Sequence, residues 1–384
     1  MFLKTTYERN KKLIDESIKL HQQGLILPNS YIVDMDTLEE NAKIILENAK
    51  QKEVRLYFML KQLGRNPYIA KKLIDIGFEG AVVVDYSEAI IMMENNIPIG
   101  NIGNLVQIPN ALIEKVLRYG VDYITIFSLD KLKLINKIAE KLQIVQKVIL
   151  RVWDENDKMY PSQEAGINIF DLEQFIENSK ELKNVAISGA TSFPAYLYNL
   201  KAKKIEKLEN CNTIYKAIEI MQNKGLVIDH INTPSLTCSK VINEFFDRKN
   251  LVGEPGHGLT GSTPIHVNEK LEEKPCVIYL TEVSHNFKNH SYLYGGGYYR
   301  RSHVSNVLIS SKNDYEFDEI LPMNCDNIDY YFETKKSYDI GSTAIMAFRF
   351  QIFVTRSNVV ILENIKNNPR IAGVYDSQGR KLDE

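Results

Sequence analysis

Lys61 closes an apolar stretch, Arg55–Leu60, and opens a Gly-containing loop, KQLGRN. An amine at the carboxyl end of a barrel strand stands at the mouth where such folds do their chemistry, and it can form a Schiff base with a carbonyl. Two further stretches carry residue types that suit an anion. INTPSLTCS, 231–239, offers the hydroxyls of Thr233, Ser235 and Thr237. GEPGHGLTGS, 253–262, offers Gly253, Gly256 and Gly258, where backbone amides can approach an anion closely. In a (β/α)8 barrel the loops after strands seven and eight frequently cradle a phosphate. Either loop alone reads as an ordinary turn. Both at those places, with a lysine after strand one, point to a phosphate-bearing carbonyl cofactor, pyridoxal 5′-phosphate (PLP).

The elements that must position these residues alternate with regularity. The strands expected are 55–60, 80–84, 102–107, 122–127, 147–152, 185–190, 229–233 and 250–254. Amphipathic segments such as NPYIAKKLIDIG, YSEAIIMMENN and LDKLKLINKIAEKL lie between most of them, and Gly77 and Gly120 stand where helix C-caps belong. Eight short apolar strands, most separated by a helix, predict a parallel sheet, and eight is the number that closes a TIM-type barrel. An open doubly wound sheet fits less well, because no GxGxxG follows the first strand. Residues 1–27 read as largely helical, a short strand follows at 31–34, and Asp36 or Thr37 is expected to cap the helix TLEENAKIILENAKQ. From about residue 265 the pattern changes to strand-like runs, among them YDIGSTAIMAFRFQIFVTR, separated by turns such as YGGG and DSQG. The expected division is 1–35, a helix and strand joining the β domain; 36–264, the barrel; and 265–384, a β-rich, mostly antiparallel domain.

Composition narrows the function classes. A net charge of −2 over 384 residues leaves no electrostatic footprint for nucleic acid. No apolar run approaches the ~20 residues of a membrane helix, and MFLKTTYERNKK lacks the apolar core of a signal peptide. Four cysteines without a CxxC pair predict reduced thiols in a cytoplasmic protein, and seven histidines without HxxxH or HxH spacing predict no metal site.

GEPGHGLTG, the TLEENAKIILENAK segment and Lys61 together resemble the alanine-racemase-like, fold-type III PLP enzymes, which include alanine racemase and the ornithine and diaminopimelate decarboxylases. LKQLGRNP, LVQIP, YGGGYYRR and IFVTRS make the chain similar to the YhfX-type members of that group. The resemblance spans nearly the whole chain. It implies that Lys61 carries the cofactor and returns as a base, and that Glu254 contacts the pyridine nitrogen, where racemases have an arginine and decarboxylases a glutamate. Gly256 and His257 would line the same cofactor site. Tyr294, in SYLYGGG, takes the place of the racemase tyrosine that works on the opposite face across a dimer. Cys325 and Asp326 match a segment near the substrate. Arg300 and Arg301 offer forks that suit a substrate carboxylate.

Two departures stand out. Ser192 occupies the place of a histidine that stacks on the cofactor in many relatives. Gln163 and Glu164 stand where the racemases place an arginine that contacts cofactor and substrate. Both put alanine in doubt as substrate and point to a larger or cationic side chain, which Glu164 could pair. The expected function is racemisation of an amino acid by a homodimer with a shared site. Decarboxylation or another α-cleavage is the first alternative, and non-catalytic PLP binding the second.

Overall fold

The structure, a computed structural model, describes residues 2–245, 248–311, 314–324 and 326–382. By their contacts they fall into two compact units, one of Ile45–Leu60 with Ala70–Gly256, the other of Met1–Ile44, Lys61–Ile69 and His257–Glu384.

In the first unit eight strands, Arg55–Phe58, Gly80–Val83, Ile99–Ile102, Tyr123–Ile126, Gln146–Trp153, Val185–Thr191, His230–Asn232 and Leu251–Gly253, pair in parallel, each with the next. Leu251–Gly253 then pairs with Arg55–Phe58 and closes the barrel. Strands buried on both faces read as unbroken apolar runs, and Gly80–Val83 and Tyr123–Ile126 are buried throughout. Tyr57, Met59, Val82 and Val252 form one buried cluster of this unit. The surrounding helices start on polar caps. Asp85 accepts the Glu88 N–H at 2.9 Å, and Ser128 accepts that of Lys131 at 3.3 Å. Gly120 ends its helix in the left-handed region, φ 88°, as its spacing predicts.

The third strand differs from expectation. It is Ile99–Ile102, not 102–107, and the chain turns at Gly103, φ 98°. A side chain there would meet the Thr125 carbonyl oxygen at 2.5 Å, and Gln107 fixes the turn by donating to the carbonyls of Gly103 and Thr125 at 2.7 and 2.8 Å. A hairpin, Tyr196–Asn199 with Lys204–Lys207, follows the sixth strand in a stretch where the sequence predicts no strand.

The second unit holds a mostly antiparallel sheet in the order Asp314–Glu319, Asn306–Ser311, Thr343–Met346, Val277–Phe287, Ser30–Asp34, Asn358–Glu363, Arg370–Asp376. Ser30–Asp34 pairs antiparallel with Val277–Phe287 and parallel with Asn358–Glu363, so the short N-terminal strand lies inside this sheet. His290–Tyr294 extends from Val277–Phe287 and pairs in turn with Tyr331–Glu333. The core is an aromatic cluster of tilted and edge-to-face rings: Tyr31 lies 5.0 Å from Tyr279, 5.6 Å from Phe350 and 6.2 Å from Phe348, and its hydroxyl donates to the Gly297 carbonyl at 2.6 Å.

Two expectations are corrected here. The helix cap is Asp34, not Asp36 or Thr37: the helix is Met35–Gln51, and Asp34 accepts the Thr37 N–H at 3.1 Å and its hydroxyl at 2.5 Å. The run YDIGSTAIMAFRFQIFVTR is strand only over Thr343–Met346, and Ile352–Val354 is a 3-10 turn. Among the described residues no helix is long and apolar enough to cross a membrane.

Candidate active site

The carboxyl ends of the barrel strands carry an uncommon concentration of buried polar groups. Glu254, one residue past the eighth strand, is only 6% exposed. Asn232, at the end of the seventh, donates to Glu254 Oε1 at 2.7 Å, and the Glu254 N–H donates to Thr237 Oγ1 at 3.3 Å. The carboxylate is therefore aimed by its neighbours. Asn232 Oδ1, Thr191 Oγ1 at the end of the sixth strand, and both amide atoms of Asn104 just past the third are buried and hydrogen-bond no described residue. Buried polar groups are normally satisfied, so unspent ones gathered at one end of a barrel fit a polar ligand.

The loop after the seventh strand is strained. Ser235 and Leu236 both have positive φ, 93° and 61°, which is costly for non-glycine residues and common where a ligand is clamped. Its hydroxyls build the loop itself. Thr233 Oγ1 donates to the Val252 carbonyl at 3.0 Å, and Ser235 Oγ donates to the Tyr196 carbonyl at 2.6 Å. Gly253 is required by packing, since a Cβ there would stand 3.0 Å from Leu56 and Thr237 side-chain atoms. Ser192 is buried, donates to Asp157 Oδ2 at 3.1 Å and accepts from Asn210 at 2.9 Å. Burial raises the Asp157 pKa, against the hydrogen bonds from Thr213 and Ser192.

One residue of this barrel end escaped the sequence reading. Arg151, in the fifth strand, is 2% exposed and donates to the carbonyls of Asn104 at 3.0 Å and Gln163 at 2.6 Å. Burial pulls its pKa down to about 10, which leaves it cationic at neutral pH. The run PSQEAGI lacks an arginine, yet its Gln163 is held by one. The available signal was a cation inside KVILRV, an otherwise apolar strand. Glu164 is exposed, in an irregular segment.

Lys61 opens a 3-10 turn, Lys61–Leu63, three residues beyond the end of the strand Arg55–Phe58, not directly on the strand as expected. The Met59 N–H donates to the Pro255 carbonyl at 3.0 Å, so the segments leading to Lys61 and to His257 run side by side. Within the second unit this turn is anchored by its successors. Gly64 faces Val359 and Ile352, the Arg65 guanidinium lies 5.2 Å over the Phe353 ring, and Tyr68 donates to Glu363. His257 Nδ1 is 3.1 Å from Ser262 Oγ, and its Nε2 is 3.4 Å from Gln351 Nε2. Burial pushes its pKa well below the ordinary value, and the charges of Arg349, Lys61 and His266 add to that. His257 is thus neutral near Lys61.

Tyr294 ends the strand His290–Tyr294, is 38% exposed, and its ring lies 6.1 Å from that of Tyr331, tilted by 40°. Its hydroxyl bonds no described residue. Arg300 and Arg301 are exposed in the turn beyond the Gly-rich run, and Asp326 is exposed in a loop. Cys325 lies outside the described residues.

The model of the alanine racemase N-terminal domain matches residues 33–264, and that of the YhfX-like C-terminal domain matches residues 278–371. Over 385 residues the chain is 35% identical to Uncharacterized protein YhfX of Escherichia coli (strain K12), covering 100% of both chains. The chain belongs to the alanine-racemase-like, fold-type III family of PLP enzymes, among its YhfX-like members. The fold is shared with alanine racemase of Clostridium difficile 630 at TM-score 0.65 and 17% identity, over 92% of this chain and 99% of that one. Diaminopimelate decarboxylase of Helicobacter pylori, complexed with L-lysine, matches at TM-score 0.69 and 15% identity, over 95% and 97%. Members of the family use PLP. The unspent polar atoms at the barrel end, the strained loop and the aimed Glu254 fit such a group.

Proposed function

We propose that the chain is a PLP-dependent amino acid racemase in which Lys61 and Tyr294 from a second copy act on opposite faces of the substrate. Bound PLP supplies the electron sink that lets the Cα–H bond of an amino acid break heterolytically. The chain's residues do the rest. Lys61 would hold the cofactor, and its Nζ would take the α-proton on one face. The Tyr294 hydroxyl returns a proton on the other. Glu254, held by Asn232 and Thr237, would face the ring nitrogen and keep it protonated, and Arg151 would supply positive charge at the same barrel end. The loops carrying Thr233, Ser235, Thr237, Gly256 and His257 would hold the phosphate side.

The observation that carries the racemase reading is Tyr294: an exposed phenol with an unspent hydroxyl beside exposed Tyr330, Tyr331 and Ile328. An aromatic patch of this kind suits cover by a second copy, which supports a homodimer completing the site. One observation favours decarboxylation as the second reading, namely the buried carboxylate of Glu254, which strengthens the sink.

NMR of the PLP-loaded protein with L- and D-amino acids in D2O tests both. Loss of the α-proton with the carbon skeleton intact and both enantiomers appearing is the expected result. Loss of the carboxyl carbon selects decarboxylation, and binding of PLP without exchange in any amino acid rejects both.

A further inference from the structure

In the second unit Tyr294 is followed by three consecutive glycines, 295–297. Glycine loses more conformational freedom on ordering than any other residue, so such a run keeps one shape only when groups outside it fix it. Here they do. Thr281 Oγ1 donates to the Tyr294 carbonyl at 2.7 Å, and the Gly295 N–H donates to the Tyr330 carbonyl at 2.7 Å. The Gly296 carbonyl accepts the Arg356 N–H at 2.9 Å, and the Gly297 carbonyl accepts the Tyr31 hydroxyl at 2.6 Å. Two further donors, the N–H groups of Gly296 and Tyr298, converge on one oxygen, Asp329 Oδ2, at 3.1 and 3.2 Å. Side chains would not fit this turn. A Cβ at 295 would stand 2.5 Å from the Asp329 carbonyl oxygen, one at 297 would stand 2.2 Å from the Tyr279 ring, and Gly296 has φ 114°. The runs YGGGYYRR and IFVTRS meet here, through Gly296 and Arg356.

Asp329 is itself held in place. Its backbone is left-handed, φ 61°, which aspartate tolerates better than most residues. Its N–H donates to Asn327 Oδ1 at 2.8 Å, and its carbonyl accepts from the Arg356 guanidinium at 2.6 Å. Tyr331, two residues on, pairs with Tyr294 across the strands, and the two rings lie 6.1 Å apart. Asp329 is thus bonded to the turn that continues the strand of Tyr294, and it leads into the strand against which the Tyr294 ring lies. The side chain is half-buried, and its Oδ1 is buried without a hydrogen-bond partner among the described residues. Burial raises the carboxyl pKa to about 6, against the bonds from Gly296 and Tyr298 and the charge of Arg356. The buried phenols of Tyr31 and Tyr279 feel the same charge. Above pH 7 the group is a carboxylate, and bonds from N–H groups to a carboxylate are about twice as strong as neutral ones. Among the described residues both hydrogen bonds of this carboxylate go to the glycine turn.

We propose that Asp329 is the positioning residue of Tyr294: by accepting the Gly296 and Tyr298 N–H groups it fixes the end of the strand that presents the phenol. This rests on the reading of Tyr294 as the group that delivers a proton on one face of the substrate. A proton donor misplaced by about 1 Å loses about 100-fold in rate, and a strand end continued by three glycines has no other source of rigidity than its bonds to neighbours. Asp329 touches no reacting atom; it acts through the turn.

The test uses the PLP-loaded protein, its Asp329→Gly and Asp329→Asn variants, and each change combined with Tyr294→Phe. Glycine suits the left-handed backbone at 329, so Asp329→Gly removes the carboxylate without adding strain. Asparagine keeps an oxygen that accepts the same two N–H groups. The first readout is α-proton exchange of L- and D-lysine and of L- and D-alanine in D2O. Expected for Asp329→Gly is a loss of about 10- to 100-fold for the enantiomer that Tyr294→Phe also slows, with the other enantiomer and the cofactor's absorbance as in the wild type. Asp329→Asn recovers most of that loss, and in the Tyr294→Phe protein Asp329→Gly costs nothing further. Equal slowing of both enantiomers, losses that multiply in the double variant, or no recovery with asparagine overturns the proposal. The second readout is amide hydrogen exchange over residues 292–299, which needs no substrate. It should be faster in Asp329→Gly than in the wild type and restored in Asp329→Asn. If no enantiomer is exchanged, or Tyr294→Phe slows neither, the racemase reading fails and this readout decides alone. Faster exchange restored by asparagine then upholds Asp329 as the residue that fixes the turn, and unchanged exchange overturns it.

Discussion

His230 offers a measurable prediction because its environment refuses a proton. It begins the seventh barrel strand and is wholly buried, stacked 5.9 Å from Tyr57 at an interplanar angle of 11° and 4.3 Å from Tyr123. Both ring nitrogens lack partners among the described residues. Burial, then the charges of Arg55 and Lys147, hold its pKa well below the ordinary value. The folded state therefore keeps the ring neutral, while the unfolded chain protonates it near pH 6.5. Stability follows the protons bound by the unfolded state, so this histidine costs nothing above pH 7.5 and is destabilising as pH falls through 6.5. Between pH 7.5 and 5.5 the loss is about 1.4 kcal/mol for a site that stays neutral when folded. His257 and His21 are depressed in the same direction, so the wild type loses more than this in total. The His230→Leu variant isolates one contribution. Urea unfolding at both pH values should show the wild type losing about 1.4 kcal/mol more than the variant. Equal losses would refute the reasoning, because they would mean that His230 takes up its proton in the fold.

Three further outcomes are expected. Gly189→Ala should destabilise by about 2–4 kcal/mol, because the new Cβ would stand 1.7 Å from the His230 carbonyl oxygen and force two paired strands apart; an unchanged urea midpoint would contradict it. Lys61→Ala should remove the visible absorbance that PLP acquires on a lysine while circular dichroism stays native, and retention of that band would place the reactive amine elsewhere. Tyr294→Phe should slow exchange from one enantiomer about 100-fold more than from the other, as loss of one of two bases requires; equal effects would take Tyr294 out of the reaction.

Much of this protein was legible in the sequence because it depends on short-range pattern. Strands buried on both faces must be apolar throughout, so seven of the eight barrel strands stand out in place as runs such as GAVVV, and Gly120 marks a helix end because the left-handed turn there suits glycine. The place of Lys61 after the first strand and of the two loops after the last two follows from that alternation and needs no coordinates.

Other features were decided only by contacts distant in sequence. The third strand ends at Gly103 because Thr125 and Gln107 close on it. The run through Arg349 leaves the sheet after Met346, and the Arg349 N–H is bonded to Ser302, 47 residues away by subtraction of their numbers. Asp34 caps the helix at its own strand's end, where Asn10 also donates to it at 2.9 Å. Arg151 looks like an intruder in an apolar strand until Asn104 and Gln163 present their carbonyls to it. A buried polar group is satisfied by whatever the fold brings beside it, and local sequence records its type but not its partner.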